Sequence, residues 1–203
     1  MRILTISDNV LSQLEDGDYL RRSFADVTAI ISCGDMPAPY LDFIATVLNR
    51  PLYYVRGNHD TDYEPGRPGG IDLHRQIVRL EGLGVVGIEG SIRYSRDPAQ
   101  YTQLDMSSIV LSMLPRLLLY RAIYRKPIDI IVTHSPPQGI HDLPDYAHRG
   151  FKSFRVLLRV VEPRYLIHGH VDTNDRRKAT FTRFHATDVI NINPVKVLDI
   201  NSV

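Results

Sequence analysis

Five short blocks of potential metal-ligating residues punctuate the sequence, and each directly follows an apolar run. The blocks are Asp8, Gly34-Asp35, Gly57-Asn58-His59-Asp60, His134 and His168-Gly169-His170-Val171-Asp172. Carboxylate, amide and imidazole groups together form a ligand set for divalent metal ions, because they combine oxygen and nitrogen donors. The carboxyl ends of parallel strands in an α/β sheet converge on one crevice. If the apolar runs are such strands, the five blocks meet and form a metal site.

The apolar runs before these blocks have the length and composition of short buried strands. Helical patterns separate the first three runs, which predicts parallel strands joined by crossover helices. The predicted strands are Arg2–Ser7, Val27–Ser32, Leu52–Val55, Ile128–Thr133 and Arg164–Ile167, and the helices between the first three are Tyr19–Phe24 and Tyr40–Leu48.

The remaining segments predict further strands and two more helices. Gln103–Arg125 is helical in composition, with a kink expected near Pro115 because proline lacks a backbone donor. This helix is apolar on several faces, so we expect it to be buried. No repeat or linker divides the chain, which indicates a single α/β domain over residues 1–203 with two layered sheets. The other predicted elements are a hairpin of Leu73–Leu80 with Gly84–Glu89, a helix from Phe151 to Val161 and a β meander from Thr180 to Ile200.

Composition excludes several classes of protein. There are 24 Lys and Arg against 23 Asp and Glu, for a formal net charge of +1. This balance argues against a basic face for binding nucleic acid, which requires an excess of Lys and Arg. The single cysteine, Cys33, excludes an internal disulfide framework. The first residues turn acidic too early for a signal peptide, and polar residues interrupt the most apolar stretch, so we expect a cytoplasmic protein without membrane contact.

The order of the five blocks resembles that of the calcineurin-like metallophosphoesterases. Their pattern is D-x-H, G-D, G-N-H-(D/E), H and G-H-x-H, and the resemblance here runs from Asp8 to Asp172. It implies an α/β fold organised as a four-layer α/β/β/α sandwich with two packed mixed β-sheets. It also implies a hydrolase that acts on phosphate ester bonds with divalent metal ions as cofactors.

The resemblance implies ligands for two ions, and one set is complete. Asp35 would bridge the ions, and the second ion would take Asn58, His134 and His170. The first ion would take Asp8, but Val10 stands where the family has a histidine. Asp172 stands where the last block has its second histidine, and it is either a replacement ligand or a loop carboxylate.

The remaining donors for the first ion are all carboxylates. Oxygen donors favour Mn²⁺ or Mg²⁺ over Zn²⁺. Mn²⁺ is therefore the ion that we expect, with Mg²⁺, Fe or Zn²⁺ as alternatives and with one or two ions per chain.

The resemblance also implies a mechanism. Two cations would hold the phosphoryl group and activate a water molecule as hydroxide. His59 would be the general acid that protonates the leaving group. Asp60 would hold the His59 imidazole in the useful tautomer.

Two kinds of function remain open. The first is an enzyme acting on a small-molecule or nucleotide phosphate ester, with a phosphodiester slightly preferred over a monoester because no large cap is present. The second is a catalytically weakened protein-binding module, which the missing imidazoles around Asp8 would explain. The presence of His59 favours the enzyme. His141 and His148 either face the substrate or belong to a solvated loop, and Arg56 and Arg93 are candidates for phosphate contacts. The apolar helix near residues 109–123 is a candidate surface for a homo-oligomer.

Overall fold

The structure, a computed structural model of the chain, describes residues 1–63, 66–172 and 179–200. Two mixed sheets carry most of the strands. The first sheet contains β1 (Arg2–Ile6), β2 (Ala29–Ser32), β3 (Leu52–Tyr54), β4 (Ile71–Asp72) and β13 (Val195–Asp199), in the order β13-β1-β2-β3-β4. All of its neighbouring pairs are parallel except β1 with β13.

The second sheet is likewise parallel at its centre and antiparallel at both edges. Its order is β11-β12-β10-β9-β6-β5, and a separate two-stranded pair, β7 with β8, follows β6 in the chain. The strands are β5 (Ile77–Leu80), β6 (Leu83–Ile88), β7 (Ser91–Ile92), β8 (Gln100–Tyr101), β9 (Ile130–Thr133), β10 (Tyr165–His168), β11 (Phe181–Phe184) and β12 (Thr187–Asn191).

Alternating side chains along the strands divide the core into three apolar layers. In β1, Ile3 packs between the two sheets, whereas Leu4 packs under the helices of the first sheet. In β9, Ile130 packs between the sheets and Ile131 packs under the helices of the second sheet. The predicted α/β/β/α sandwich is therefore confirmed.

In the described part of the chain, four α-helices cover the outer faces of the sheets. α1 (Gly17–Ser23) and α2 (Ala38–Leu48) lie on the first sheet, and α3 (Gln103–Tyr124) and α4 (Lys152–Val161) lie on the second. Thr102 and Asp105 form a reciprocal cap at the start of α3. This helix is long and apolar enough to cross a membrane by length and composition alone.

Two predictions about elements were wrong. The segment from Thr180 to Ile200 is not one meander, because β11 and β12 pair in the second sheet whereas β13 pairs with β1 in the first. The α3 helix is not buried all round, because only one of its faces packs on the sheet and α4. Its outward side exposes Leu104, Leu111, Leu118, Leu119 and Ile123.

Candidate metal centre

Four of the predicted ligands converge at the carboxyl ends of the central strands. One ligand atom each from Asp35, His134 and His170 lies within 4.8 Å of the other two. His134 Nε2 is 3.3 Å from Asp35 Oδ2 and 3.1 Å from Asn58 Oδ1. Tyr94 Oη accepts a hydrogen bond from Asn58 Nδ2 at 2.8 Å, which leaves the amide oxygen facing His134. This set of two oxygens and two nitrogens fits a divalent transition-metal ion such as Mn²⁺, Fe²⁺ or Zn²⁺.

Backbone carbonyl groups orient both imidazoles. His134 Nδ1 donates to the carbonyl oxygen of Cys33 at 2.8 Å, and its Nε2 therefore faces Asp35 and Asn58. His170 Nε2 donates to the carbonyl oxygen of Ala147 at 2.9 Å, which leaves Nδ1 as the free ligand atom. Metal-ligating histidines in proteins commonly have their second ring nitrogen bound in this way.

The charges of the ligands are coupled. Burial alone would raise the pKa of Asp35, but the charge and hydrogen bond of His134, together with the backbone N–H of His59, lower it to about 2. Burial alone would lower the pKa of His134, and the carboxylates of Asp35 and Asp8 raise it to about 9. Burial and the charge of His134 lower the pKa of His170 to about 3. A cation binding here must displace the proton from His134 Nε2, because only the neutral imidazole is a ligand.

Three of the predicted ligands adopt a backbone conformation that L-amino acids rarely use. The φ angle is +65° at Asp8, +56° at Asp35 and +67° at His170. Such strain costs on the order of 1–3 kcal/mol per residue and concentrates at functional sites. Gly34 (φ +98°) permits this packing, because a Cβ there would lie 2.5 Å from Gly57 N.

The predicted partnership of Asp60 with His59 is wrong. The buried Asp60 carboxylate accepts backbone N–H bonds from Asp35 at 2.8 Å, Met36 at 2.9 Å and Gly57 at 2.7 Å. These N–H groups lie just after β2 and β3, beyond the residues that pair in the sheet. A carboxylate has enough acceptor sites for all three. Burial raises the pKa of Asp60 to about 6, although these bonds oppose the shift.

His59 itself is exposed at the mouth of the site. Its backbone N–H donates to Asp35 Oδ1 at 2.8 Å. Within the described ranges, no hydrogen-bond partner holds its imidazole. The ring is therefore free to reach a bound substrate.

The predicted ligands of the first ion are not gathered into a cluster. Asp8 uses both carboxylate oxygens to accept the backbone N–H of His170, at 3.0 and 2.9 Å. Val10 is 45% exposed and lines a neighbouring apolar pocket. Asp172 is exposed at the rim of the same pocket as Asp8. Among residues 1–63, 66–172 and 179–200, neither carboxylate belongs to a group of three close donors.

A polar pocket of about 460 Å³ lies directly over the ligands. An apolar pocket of about 470 Å³ adjoins it, and the two share Asp35 and His59 in their walls. The polar pocket is lined by Asp8, Asn9, Asp35, Asn58, His59, Tyr94, Ala147, His148, His170, Asp172 and Asn193. Sequence reasoning missed Ala147 and Asn193, because both lie in loops outside the five ligand blocks.

Of the two loop histidines, only His148 lines the pocket. Its ring lies 5.1 Å from that of His170, and its Nδ1 is 2.8 Å from Asp145 Oδ1. His141 instead contacts His168 Nε2 at 3.0 Å and Thr182 Oγ1 at 2.9 Å.

The two arginines considered as phosphate ligands are engaged elsewhere. Arg56 pairs with Glu89 through two contacts of 2.7 and 3.0 Å. Arg93 pairs with Asp105 at 3.1 Å. Neither arginine lines the polar pocket.

Comparison with known proteins finds a matching family and similar folds. The family model described as calcineurin-like phosphoesterase matches residues 1–173. The structure of TT1561 from Thermus thermophilus is similar with a TM-score of 0.61 and 16% identity, covering 94% of this chain and 88% of that one. GAP50, described as the anchor in the inner membrane complex of Plasmodium, gives a TM-score of 0.55 and 14% identity, covering 94% and 70% respectively. No curated protein sequence matches the chain significantly.

Proposed function

Because the chain belongs to the calcineurin-like phosphoesterase family, we propose that it is a metal-dependent phosphoesterase that hydrolyses small phosphate esters. The observation that supports this most strongly is the convergence of Asp35, Asn58, His134 and His170 beneath an open polar pocket. Structural carboxylate–histidine pairs also occur in proteins, but these four donors come from four different strand ends and all face one point.

A divalent cation bound there would polarise a phosphoryl group and lower the pKa of a water molecule. The ligand residues hold that cation and neutralise part of its charge. Asn58 and Tyr94 orient one ligand oxygen through their hydrogen bond, and the carbonyl groups of Cys33 and Ala147 fix the two rings. Mn²⁺ remains the proposed ion, because two of the four donors, Asp35 Oδ2 and Asn58 Oδ1, are oxygens, which suit it.

His59 is the proposed proton donor to the leaving group. It lies in the shared wall of the two pockets, so its imidazole can reach an ester oxygen that joins a phosphate in one pocket to a substituent in the other. A general acid in such a position accelerates hydrolysis by about 10²–10⁴-fold.

The proposed preference is for phosphodiesters. The polar pocket of about 460 Å³ offers Tyr94 and Asn193 beyond the ligands, and the apolar pocket offers Met36 and Tyr63. A phosphate with a substituent on each side would therefore have a surface for both. Tyr94 is also placed to contact a ring such as a nucleobase.

A second candidate function is a protein-binding module that hydrolyses nothing. The observation that favours it is the incomplete first site, where Val10 faces another pocket and Asp8 is used by the His170 backbone.

Hydrolysis assays separate the two functions. Protein treated with a chelator would be given a chromogenic bis-aryl phosphate or the corresponding aryl monoester, with Mn²⁺, Mg²⁺, Fe²⁺ or Zn²⁺ added back. We expect Mn²⁺ to restore hydrolysis, with the diester cleaved faster. A faster monoester reaction would overturn the diester preference, and no hydrolysis with any ion would favour the binding module.

A further inference from the structure

The outer face of the α3–α4 layer is unusual for a surface helix pair. A surface helix normally has polar residues on its outward side. On α3, exposed apolar residues occur along the whole length of the helix, with Leu104 80%, Leu111 62% and Leu119 59% exposed. Its neighbour α4 adds Val156 and Val160, which are 46% and 38% exposed. Contiguous exposed apolar surface of this kind marks an interaction site.

The same layer is strongly basic. Residues 103–126 and 152–162 contain seven Lys or Arg and only two Asp or Glu, although the whole chain is nearly neutral. Both acidic residues are already paired, Asp105 with Arg93 and Glu162 with Arg121. Within the described part of the chain, no acidic side chain lies within 4.0 Å of the basic groups of Arg116, Arg125, Lys152, Arg155 or Arg159, which flank the apolar stripe.

We propose that the outer face of α3 and α4 binds the surface of an anionic lipid bilayer. Leucine side chains on one helix face insert at the boundary between headgroups and acyl chains, and flanking Lys and Arg side chains reach anionic headgroups. Exposed apolar residues and basic residues occur together on these two helices, which is the combination that such a surface requires. A second copy of the chain fits less well, because a two-fold contact through this face would place unpaired cations against cations.

The helix itself stays folded against the protein and does not cross the bilayer. Met106, Val110, Met113 and Leu117 are buried against the second sheet and α4. Membrane contact therefore uses the side of the helix that is already exposed. The sequence-based expectation of no membrane contact rested on the polar residues that interrupt this apolar stretch, which argue against a membrane span but not against contact with a bilayer surface.

Vesicle flotation with the full-length protein tests the proposal. The probes are phosphatidylcholine vesicles with and without phosphatidylglycerol, at low and high salt. We expect the protein to float with the anionic vesicles only, and the bound fraction to fall at high salt because the headgroup attraction is screened. No flotation with the anionic vesicles at low salt would overturn the proposal.

Variants separate the apolar and the charged contributions. Leu111→Gln with Leu118→Gln should weaken partition onto anionic vesicles at least about tenfold for each leucine removed. Arg116→Gln with Arg125→Gln should weaken it roughly fivefold for each cation. Phe43→Gln on α2, a 38% exposed apolar residue on the opposite outer layer, is the control and should bind like the wild type. Equal binding by all of these proteins would contradict the proposal.

The molecular mass in solution tests the alternative, in which a second copy of the chain covers this face. If the face joined two copies, light scattering without lipid would give twice the chain mass, and Leu111→Gln with Leu118→Gln would restore the monomer. That result would overturn the bilayer proposal. A monomer that floats with anionic vesicles supports it.

Discussion

At the scale of single residues, the adjacent His59 and Asp60 have unrelated tasks. The Asp60 carboxylate is buried and ties together the two loops that carry Asp35 and Asn58. The His59 imidazole is exposed, and among the described residues it has no hydrogen-bond partner. The sequence could predict that both belong to the site, because they follow a strand beside Asn58. It could not predict their separate tasks, because these depend on which backbone N–H groups remain unpaired after the loops pack.

His59→Ala should lower turnover of a diester about 10²–10⁴-fold, because the leaving group would depart without a proton donor. The melting temperature and the Mn²⁺ affinity should stay as in the wild type, since the side chain is exposed and is not a ligand. Steady-state hydrolysis, thermal melting and calorimetric Mn²⁺ titration measure the three quantities. A loss of Mn²⁺ affinity in this variant would show that His59 holds the ion instead.

Asp60→Asn, in contrast, should lower both the stability of the fold and the Mn²⁺ affinity. Asparagine offers one acceptor oxygen where the carboxylate serves three N–H groups, so unfolding should become easier by about 1–3 kcal/mol. Misplaced ligands should weaken Mn²⁺ binding about 10–100-fold. Urea denaturation and metal titration provide these values, and an unchanged metal affinity in the folded variant would contradict the role assigned to Asp60.

At the scale of elements, buried charges join the two sheets beside the site. Arg56 follows β3 in the first sheet and Glu89 follows β6 in the second, and the Glu89 side chain is only 2% exposed. Tyr101 donates a further hydrogen bond to Glu89 at 2.6 Å. This pairing explains why Arg56, although adjacent to the Gly57-Asn58 block, does not line the polar pocket.

The Glu89 network should make stability depend on acid pH. Burial alone would raise the pKa of Glu89, but hydrogen bonds from Arg56 and Tyr101 and the charges of His74 and Arg56 lower it below its usual 4.5. A carboxyl group with a lowered pKa in the folded state stabilises the fold above its unfolded pKa, and this contribution disappears as pH falls through the folded pKa. We therefore expect stability to fall below pH 4.5, and Glu89→Gln to flatten this part of the profile.

At neutral pH, Glu89→Gln should also lower the free energy of unfolding by roughly 2–4 kcal/mol, because the partly buried Arg56 charge loses its partner. Glu162→Gln, which breaks the exposed pair with Arg121, is the matched control and should cost less than about 1 kcal/mol. Urea denaturation at a series of pH values measures both. Equal, small effects would contradict a stabilising role for the Glu89 network.

The elements also show where sequence reasoning stops. The sequence predicts five of the strands, because their apolar runs end in ligand blocks. The observed bounds of β1, β2, β3, β9 and β10 each agree with the predicted bounds to within a residue or two. The sequence could not predict the partner of β13. Its pairing with β1 joins opposite ends of the chain, so no local sequence pattern indicates it. The sequence could not predict the exposed side of α3 either. A helix with apolar residues on all sides is expected to be buried within the protein.

At the scale of the whole molecule, the candidate ion joins the two sheets. Asp35 and Asn58 follow strands of the first sheet, whereas His134 and His170 follow strands of the second. Binding only to the folded chain, Mn²⁺ at about a hundred times its Kd should stabilise the protein by about 2.7 kcal/mol. The melting temperature should then rise by roughly 5–10 °C and return to its starting value with excess chelator.

The single domain over residues 1–203 stays a prediction, and the same melting experiment tests it through one cooperative transition.

The central claim is that one cation, held by Asp35, Asn58, His134 and His170, drives phosphoester hydrolysis. The most direct measurement follows Mn²⁺ binding by electron paramagnetic resonance and bis-aryl phosphate hydrolysis in the same titration of chelator-treated protein. We expect one tightly bound ion per chain, hydrolysis that rises with its occupancy, loss of both in His134→Ala, and retention of both in His185→Ala. Hydrolysis without a bound ion, or Mn²⁺ binding by His134→Ala as tight as in the wild type, would contradict the claim.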